Sequence, residues 1–431
     1  MTDPLTTKGN RLLAGVGATA IALAPALRSR NFRLFWLGQT ISLVGTSLQG
    51  VAEGWLIYHL THSTFWLGMA SFLGLLPVVP ISLVGGVLID RMPRRHLIQI
   101  TQCCLLVQAI VFGLLVISGK IALWHIIVLY FVFGSILAID HPARRAFLVE
   151  LVDQGDLANA VALNGAVFNL SSLLGYAIGG VLIATVGAGA SMLLNAATYV
   201  APIITLALIR VPNVAADVTH KSAGLGNQAG AKSFTNALTE GLLVLWRQPA
   251  ILGAISLMAL VGGLSGSAFG MLPAFAETIV HTNAIGLGIL MAAGALGSVL
   301  GTIAVARVGV RARGHALTLS SLLLPLLLLG FAFSHNLVIA AALLIVIGGA
   351  ILILQSLTIT LVQLQIPDRV RGRVMALYSI LHAGSDTVGN LSVGWLAVYL
   401  GLPFALAAAG VTAILYALGL RTALPSIDRL D

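Results

Sequence analysis

The sequence predicts an all-α membrane protein of twelve transmembrane helices, arranged as two pseudo-symmetric six-helix bundles. Three observations carry that expectation: a composition too apolar for a water-facing surface, twelve apolar runs, and basic residues confined to one side. Of 431 residues, 58% are hydrophobic and 9% charged, with a mean hydropathy of +1.01. A soluble chain carries about 25% charged residues, so too few charges exist here to face water all round. That excludes a soluble enzyme and a disordered chain. The 47 glycines suit helices that approach closely within a bilayer. The net charge of +9 belongs, in such a chain, to the basic bias of cytoplasmic loops and not to nucleic-acid binding.

A spanning helix needs about 20 mostly apolar residues. Such runs fall at 34–58, 65–89, 97–118, 124–141, 157–185 and 190–209. They resume at 250–276, 285–306, 316–333, 337–363, 374–400 and 403–420. With the N-terminus cytoplasmic, 22 of the 23 Lys and Arg fall on the cytoplasmic side, and Lys120 alone falls outside. One missed span would invert every later loop, so the asymmetry tests the count. The expected organisation is a cytoplasmic segment 1–29, a first bundle 30–210, a cytoplasmic linker 211–247, a second bundle 248–421 and a cytoplasmic tail 422–431. The membrane is of the bacterial inner type.

Residues 12–24 imitate a signal peptide. Cleavage there would place Arg28, Arg30 and Arg33 outside, and Pro25 follows the site, so the segment reads as lying at the cytoplasmic interface. The linker is rich in Gly, Asn, Ala and Ser, as flexible connections are. Its stretch Gly224 to Ser233 imitates a phosphate-binding loop but fails, because Ala231 separates Gly from Lys and no strand precedes it. From Phe234 the linker turns amphipathic, with Leu238, Leu242 and Leu245 on the same face, which predicts an interfacial helix. With no ATP-binding module read in this chain, a primary ATP-driven pump within it is not expected.

Cys103 and Cys104 sit side by side in an apolar run and read as helix-packing residues. The ten histidines scatter, with no metal-ligand spacing and no Ser-His-acid grouping, so neither an enzyme, a metal nor a cofactor is expected. The halves repeat weakly. Leu43-Val44-Gly45 recurs as Leu260-Val261-Gly262, and His141-Pro142-Ala143-Arg144-Arg145 is echoed by Ile366-Pro367-Asp368-Arg369-Val370-Arg371. Parallel internal symmetry indicates a transporter that rocks about a central site.

In the first span Gln39, Ser42, Thr46, Gln49 and Glu53 recur at spacings of three and four, forming one polar stripe. Such a stripe faces protein or water, not lipid. It is either an interhelical hydrogen-bond seam or the wall of a cavity. Glu53 and Asp386 are the acids deepest in the expected spans, and Asp386 has Ser379, His382 and Asn390 near its face. A carboxyl that takes up and releases a proton there would suit coupling to the proton gradient. The alternatives are that Glu53 reaches water at the outer helix end and that Asp386 makes a fixed interhelical hydrogen bond. Between spans two and three lies Gly86-Val87-Leu88-Ile89-Asp90-Arg91-Met92-Pro93-Arg94-Arg95. An acid among three arginines is either a breakable ion-pair network or a topology signal alone. Asp140, beside Arg144 and Arg145, belongs with that network.

The pattern G-x-L-x-D-R-x-x-R-R at this loop resembles the signature of the major facilitator superfamily, with Pro93 where Gly is usual. The resemblance implies that the acid and its bases latch the cytoplasmic side. It also implies that the first helix of each half lines a central cavity, which assigns the Gln39–Glu53 stripe to substrate. The loop Arg307 to Arg313 repeats the bases without the acid. Asn31 to Gln39, Asp140 to Ala146, Asn159 to Asn164, and Pro367-Asp368-Arg369-Val370-Arg371-Gly372-Arg373-Val374 look like the efflux branch containing the enterobactin exporter and macrolide-efflux proteins. Asp368, Arg369, Arg371 and Arg373 join the expected gate. Gly175, Gly179 and Gly180 form a helix-packing motif in which Tyr176 replaces the Pro typical of antiporter relatives. The resemblance thus implies a secondary active transporter exporting small amphipathic compounds, drug-like or siderophore-like, by proton coupling. Expected partners are the small-molecule substrate, protons and membrane lipid, for a monomeric chain. An importer or facilitator of the same fold, and a non-transporting ligand sensor or scaffold, are the alternatives.

Overall fold

A computed structural model of the chain describes residues 25–78, 80–81, 88–89, 91–210, 242–243, 245–307 and 313–424. Every regular element among them is helical. Helix α1 (Arg30–Thr61) starts where the Ser29 hydroxyl accepts the Phe32 N–H at 3.2 Å, satisfying one of the orphan donors of the first turn. It is followed by α2 (Thr64–Leu75), α3 (Arg94–Ile117) and α4 (Leu123–Leu151). Helix α5 (Leu157–Leu208) has 52 residues, roughly 78 Å at 1.5 Å per residue and far more than one crossing requires. It breaks at Gly187, whose φ of 84° and ψ of 163° only glycine adopts freely.

Four short pieces follow end to end: α6 (Pro249–Leu257), a π-helical stretch Met258–Gly262, α7 (Gly263–Gly270) and α8 (Leu272–Thr278). The chain closes with α9 (Ala284–Arg307), α10 (Arg313–Ala332), α11 (Leu337–Gln365), α12 (Asp368–Leu400) and α13 (Leu402–Ala423). Among the described residues, eight helical stretches are long and apolar enough to cross a membrane. Helices α1 and α12, of 32 and 33 residues, are not among these eight. Both carry polar residues at helical spacing, which lowers their hydropathy.

Two chain reversals recur at matching places. His62 after α1 and His281 after α8 both take left-handed conformations, with φ of 45° and 54°. Gly187 and Gly401, the latter between α12 and α13, share φ of 84° and 82°.

Three expectations need correction. The apolar run expected to end at 141 belongs to a helix that continues through Pro142 to Leu151. An Asp140–Arg144 pair one turn apart brackets the proline, and Ala143, Phe147, Leu148 and Leu151 pack with Phe32, Phe35 and Leu97. Cys103 and Cys104 do not pack between helices; both are exposed, because α3 buries the face carrying Leu105, Gln108, Ala109 and Phe112. Of the amphipathic linker face, Leu245 is buried but Leu242 is exposed. Phe234 and Leu238, residues 12–24 and the Gly224–Ser233 stretch lie outside the described residues.

Helices α1, α3, α4 and α5 pack chiefly among themselves, as do α6 to α13, while α2 packs chiefly against α12. Small residues set the spacing. A methyl group at Gly38 of α1 would lie 3.0 Å from Pro202 Cα of α5, and one at Gly301 of α9 would lie 2.7 Å from the Gly349 carbonyl of α11. The two sets meet mainly through α5 against α9 and α2 against α12. Gly180 faces Gly288 across the first junction, where an added methyl would sit 2.7 Å from the opposite Cα. Across the second, Thr64 Oγ1 donates to the Gly394 carbonyl at 2.9 Å and Asn390 Nδ2 to Ser71 Oγ at 3.4 Å. These junctions lie toward the end that carries His62 and Gly187, here called the far end. The near end carries Arg30, Arg94 and Leu208.

Candidate functional site

The α1 stripe lies inside the first set of helices as a continuous buried seam. Gln39, Ser42, Gln49 and Glu53 are buried and Thr46 is half-buried. Gln49 Nε2 donates to Glu53 Oε1 at 2.6 Å and also reaches Gln108 Oε1 of α3 at 3.4 Å. Its Oε1 accepts from Asn195 Nδ2 of α5. Asn195 Nδ2 in turn lies 3.4 Å from the Tyr199 hydroxyl, which meets Thr46 Oγ1 at 3.2 Å. The Tyr130 side chain of α4 also stands near Glu53. Burying these groups unpaired would cost about 1–3 kcal/mol each, so mutual satisfaction is what lets the polar stripe exist in an apolar wall.

Toward the near end the seam continues on other helices. Ser42 Oγ donates to Gln102 Oε1 of α3 at 3.3 Å, and Gln102 Nε2 donates to Asp140 Oδ1 at 3.1 Å. Thr101 Oγ1 donates to the same Asp140 oxygen at 2.5 Å, and Arg144 Nε to Asp140 Oδ2 at 2.5 Å. Asp140 is 2% exposed. A charge so deep requires this pairing and hydrogen bonding. Gln39 Oε1, by contrast, is buried with no hydrogen-bond partner among the described residues.

The second acid is held differently. Asp386 is half-buried on α12, opposite Gly266 of α7, where an added methyl would lie 3.2 Å from its Oδ1. It makes no hydrogen bond to any described residue. His382 stands one turn earlier, its ring 6.0 Å from that of Tyr378. Asn390, one turn later, forms the cross-set contact with Ser71, while Ser379 is exposed and bonds only the Met375 carbonyl.

Of the expected gate, Gly86 and Asp90 lie outside the described residues, as do the side chains of Asp368 and Arg369. Arg91, Arg145 and Arg373 are exposed. The acid described against Arg94 is Glu150 of α4, at 2.7 Å. Arg95 donates to the Ile209 and Ala207 carbonyls at 2.9 and 3.0 Å, capping the end of α5, where a cation suits the helix dipole. Arg371 Nη2 donates to the Ile366 carbonyl at 3.3 Å. Gly175 and Gly179 lie against α1, and Gly180 against α9. Sequence reasoning did not single out Thr101, Gln102, Gln108, Tyr130, Glu150, Asn195 or Tyr199. Their signal was available, since most are isolated polar residues inside apolar runs.

Repeated membrane-length helices around a buried polar seam mark a multi-pass membrane protein. The chain belongs to the major facilitator family described as transmembrane secretion effector, whose pattern matches residues 20–431. It is 28% identical over 377 residues to the enterobactin exporter EntS of Shigella boydii serotype 18, covering 85% of each chain. The same identity and coverage hold for the enterobactin exporter EntS of Escherichia coli O139:H28. Among solved structures it resembles a bacterial homolog of the human lysosomal transporter Spinster, with a TM-score of 0.69, 15% identity, and 94% of this chain and 98% of that one covered. The nucleoside transporter NupG gives 0.68 at 10% identity, with 91% and 98% covered. At such identities these two structures speak for the fold alone. The chain is a transporter and not an enzyme.

Proposed function

We propose that the protein exports small amphipathic compounds, drug-like or siderophore-like, across the bacterial inner membrane in exchange for protons. The proposed architecture is twelve spans in two six-helix halves, 30–210 and 248–421. Segment 1–29, linker 211–247 and tail 422–431 are cytoplasmic. The observation that carries the coupling is Glu53: an acid 2% exposed, inside a wall, hydrogen-bonded and with no cation of the described residues paired to it. Its charge is costly there, so its protonation state and the position of the surrounding helices constrain one another. The likeness to enterobactin exporters supports export and a siderophore-like cargo. At about 180 mV, one inward proton is worth roughly 4 kcal/mol, enough for a gradient on the order of a thousandfold. Asp90 with Arg91, Arg94 and Arg95 forms the proposed near-end latch, joined by Asp140, Arg144, Arg145, Asp368, Arg369, Arg371 and Arg373.

Purified protein in proteoliposomes, with an imposed pH gradient and a fluorescent amphipathic substrate, tests the reading. Uphill movement against the proton flow supports exchange. Movement with the proton flow makes the protein an importer, and absence of net flux makes it a sensor or scaffold. Orientation is tested by labelling single cysteines introduced near residues 120 and 225. Outside labelling at 225 but not at 120 would invert the proposed topology.

A further inference from the structure

A glutamine amide can present either its N–H or its oxygen to a neighbouring carboxyl, and the two choices have opposite consequences. An N–H stabilises the carboxylate; an oxygen favours the protonated acid. The side chain that faces Glu53 is Gln49, and its orientation is decided by what lies behind it. On the α5 side Asn195 Nδ2 donates to Gln49 Oε1, so the Gln49 oxygen points away from Glu53. On the α3 side Gln108 Oε1 stands 3.4 Å from Gln49 Nε2, and Gln108 Nε2 donates to the Leu129 carbonyl at 3.4 Å. Asn195 is held in place by its neighbour, since Thr198 Oγ1 donates to its backbone carbonyl at 2.7 Å and stands 3.1 Å from its Oδ1. Gln49 and Asn195 are both 0% exposed, so water does not scramble this order.

We propose that Asn195 is a positioning residue for Glu53: it fixes the polarity of the Gln49 amide so that an N–H faces the carboxyl, which lets Glu53 release its proton inside the helix wall. The proposal rests on the reading of Glu53 as the coupling acid. The Tyr130 side chain of α4 stands beside the carboxyl as well. The other titratable groups around Glu53 are Tyr199 of α5 and, behind Tyr130, Tyr176 of α5. None of these is a cation. With neutral neighbours only, the direction of the hydrogen bonds becomes the main means of holding the charge. Asn195 touches Glu53 through Gln49 alone, so its effect must appear as a change in how Glu53 titrates.

The test is infrared difference spectroscopy of the full chain in lipid nanodiscs across a pH series. The carbonyl band of protonated Glu53 is assigned by its loss in Glu53→Gln. In Asn195→Leu the amide donor is gone and Gln49 is free to turn, so the band should persist to higher pH, by tenfold or more in proton concentration. Asn195→Ser, which replaces the amide by a shorter hydroxyl, should move it the same way and serves if the leucine variant does not fold. Thermal melting separates a structural role: a side chain that only packs lowers Tm and leaves the midpoint in place. A Glu53 midpoint within twofold of wild type in both Asn195 variants overturns the proposal. Uphill transport by Glu53→Gln at wild-type rate would instead remove the coupling reading, while the infrared midpoint still decides whether Asn195 sets the Glu53 charge.

Discussion

Glu53 and Asp386 are both acids within long polar-striped helices, one in each set, yet their surroundings differ in kind. Glu53 is buried in α1 beside the seam shared with α3 and α5, and the described side chain that hydrogen-bonds it is the neutral Gln49. Asp386 faces a glycine and a histidine one turn away, and no described side chain donates to it. Donors built into the protein let an acid change charge without water. An acid lacking them depends on what enters the space beside it. In the proposed mechanism Glu53 therefore takes the proton and Asp386 meets substrate or solvent.

The largest effect expected is from Glu53→Gln. The amide keeps size and hydrogen bonding but cannot titrate, so a gradient of up to about a thousandfold should collapse to none while substrate exchange persists. Normal uphill transport by this variant would erase the contrast between the two acids. Asp386→Asn should lower transport by about threefold to tenfold, the equivalent of one ordinary hydrogen bond, with coupling to the pH gradient intact. If it alone were uncoupled, the assignment of roles would reverse. Asp90→Asn should slow turnover by about threefold, within the range of an exposed ion pair, with expression unchanged. Altered accessibility of near-end cysteines would show it, and unchanged accessibility with normal transport leaves the loop as a topology signal. The smallest effect concerns the seam itself. Thr101→Val removes the 2.5 Å bond to Asp140 and should cost about 1–2 kcal/mol in chemical unfolding, with little change in transport.

The stripe on α1 was legible because a spacing of three and four defines a face whatever that face meets. What it meets was not legible. Periodicity on one helix carries no information about the helix opposite, so a seam and a cavity wall gave the same pattern. Gln102, Gln108 and Asn195 complete the seam from other runs, and only their proximity in space gives them a role. Eight of the apolar stretches were readable as membrane-length helices among the described residues, because length and apolarity suffice for those. The extension of α4 past Pro142 was not, because the stabilising pair lies across a residue that ordinarily ends a helix. At the near end the described contacts add partners that one loop's sequence does not name, Glu150 for Arg94 and the end of α5 for Arg95, while Asp90 lies outside the described residues.

Where Gly180 meets Gly288, no side chain stands between the two backbones. Such a contact works as a fulcrum, since helices touching without interlocked side chains can roll on each other at little steric cost. Along α5 the distance from Gly180 to Leu157 is about 35 Å at 1.5 Å per residue. A roll of about 10° at that contact would carry the near end of the helix by about 6 Å, a rigid-body excursion comparable to one helical turn. In the proposed mechanism, leverage of this kind would turn a small, local change at the glycine pair into an opening wide enough to pass a molecule.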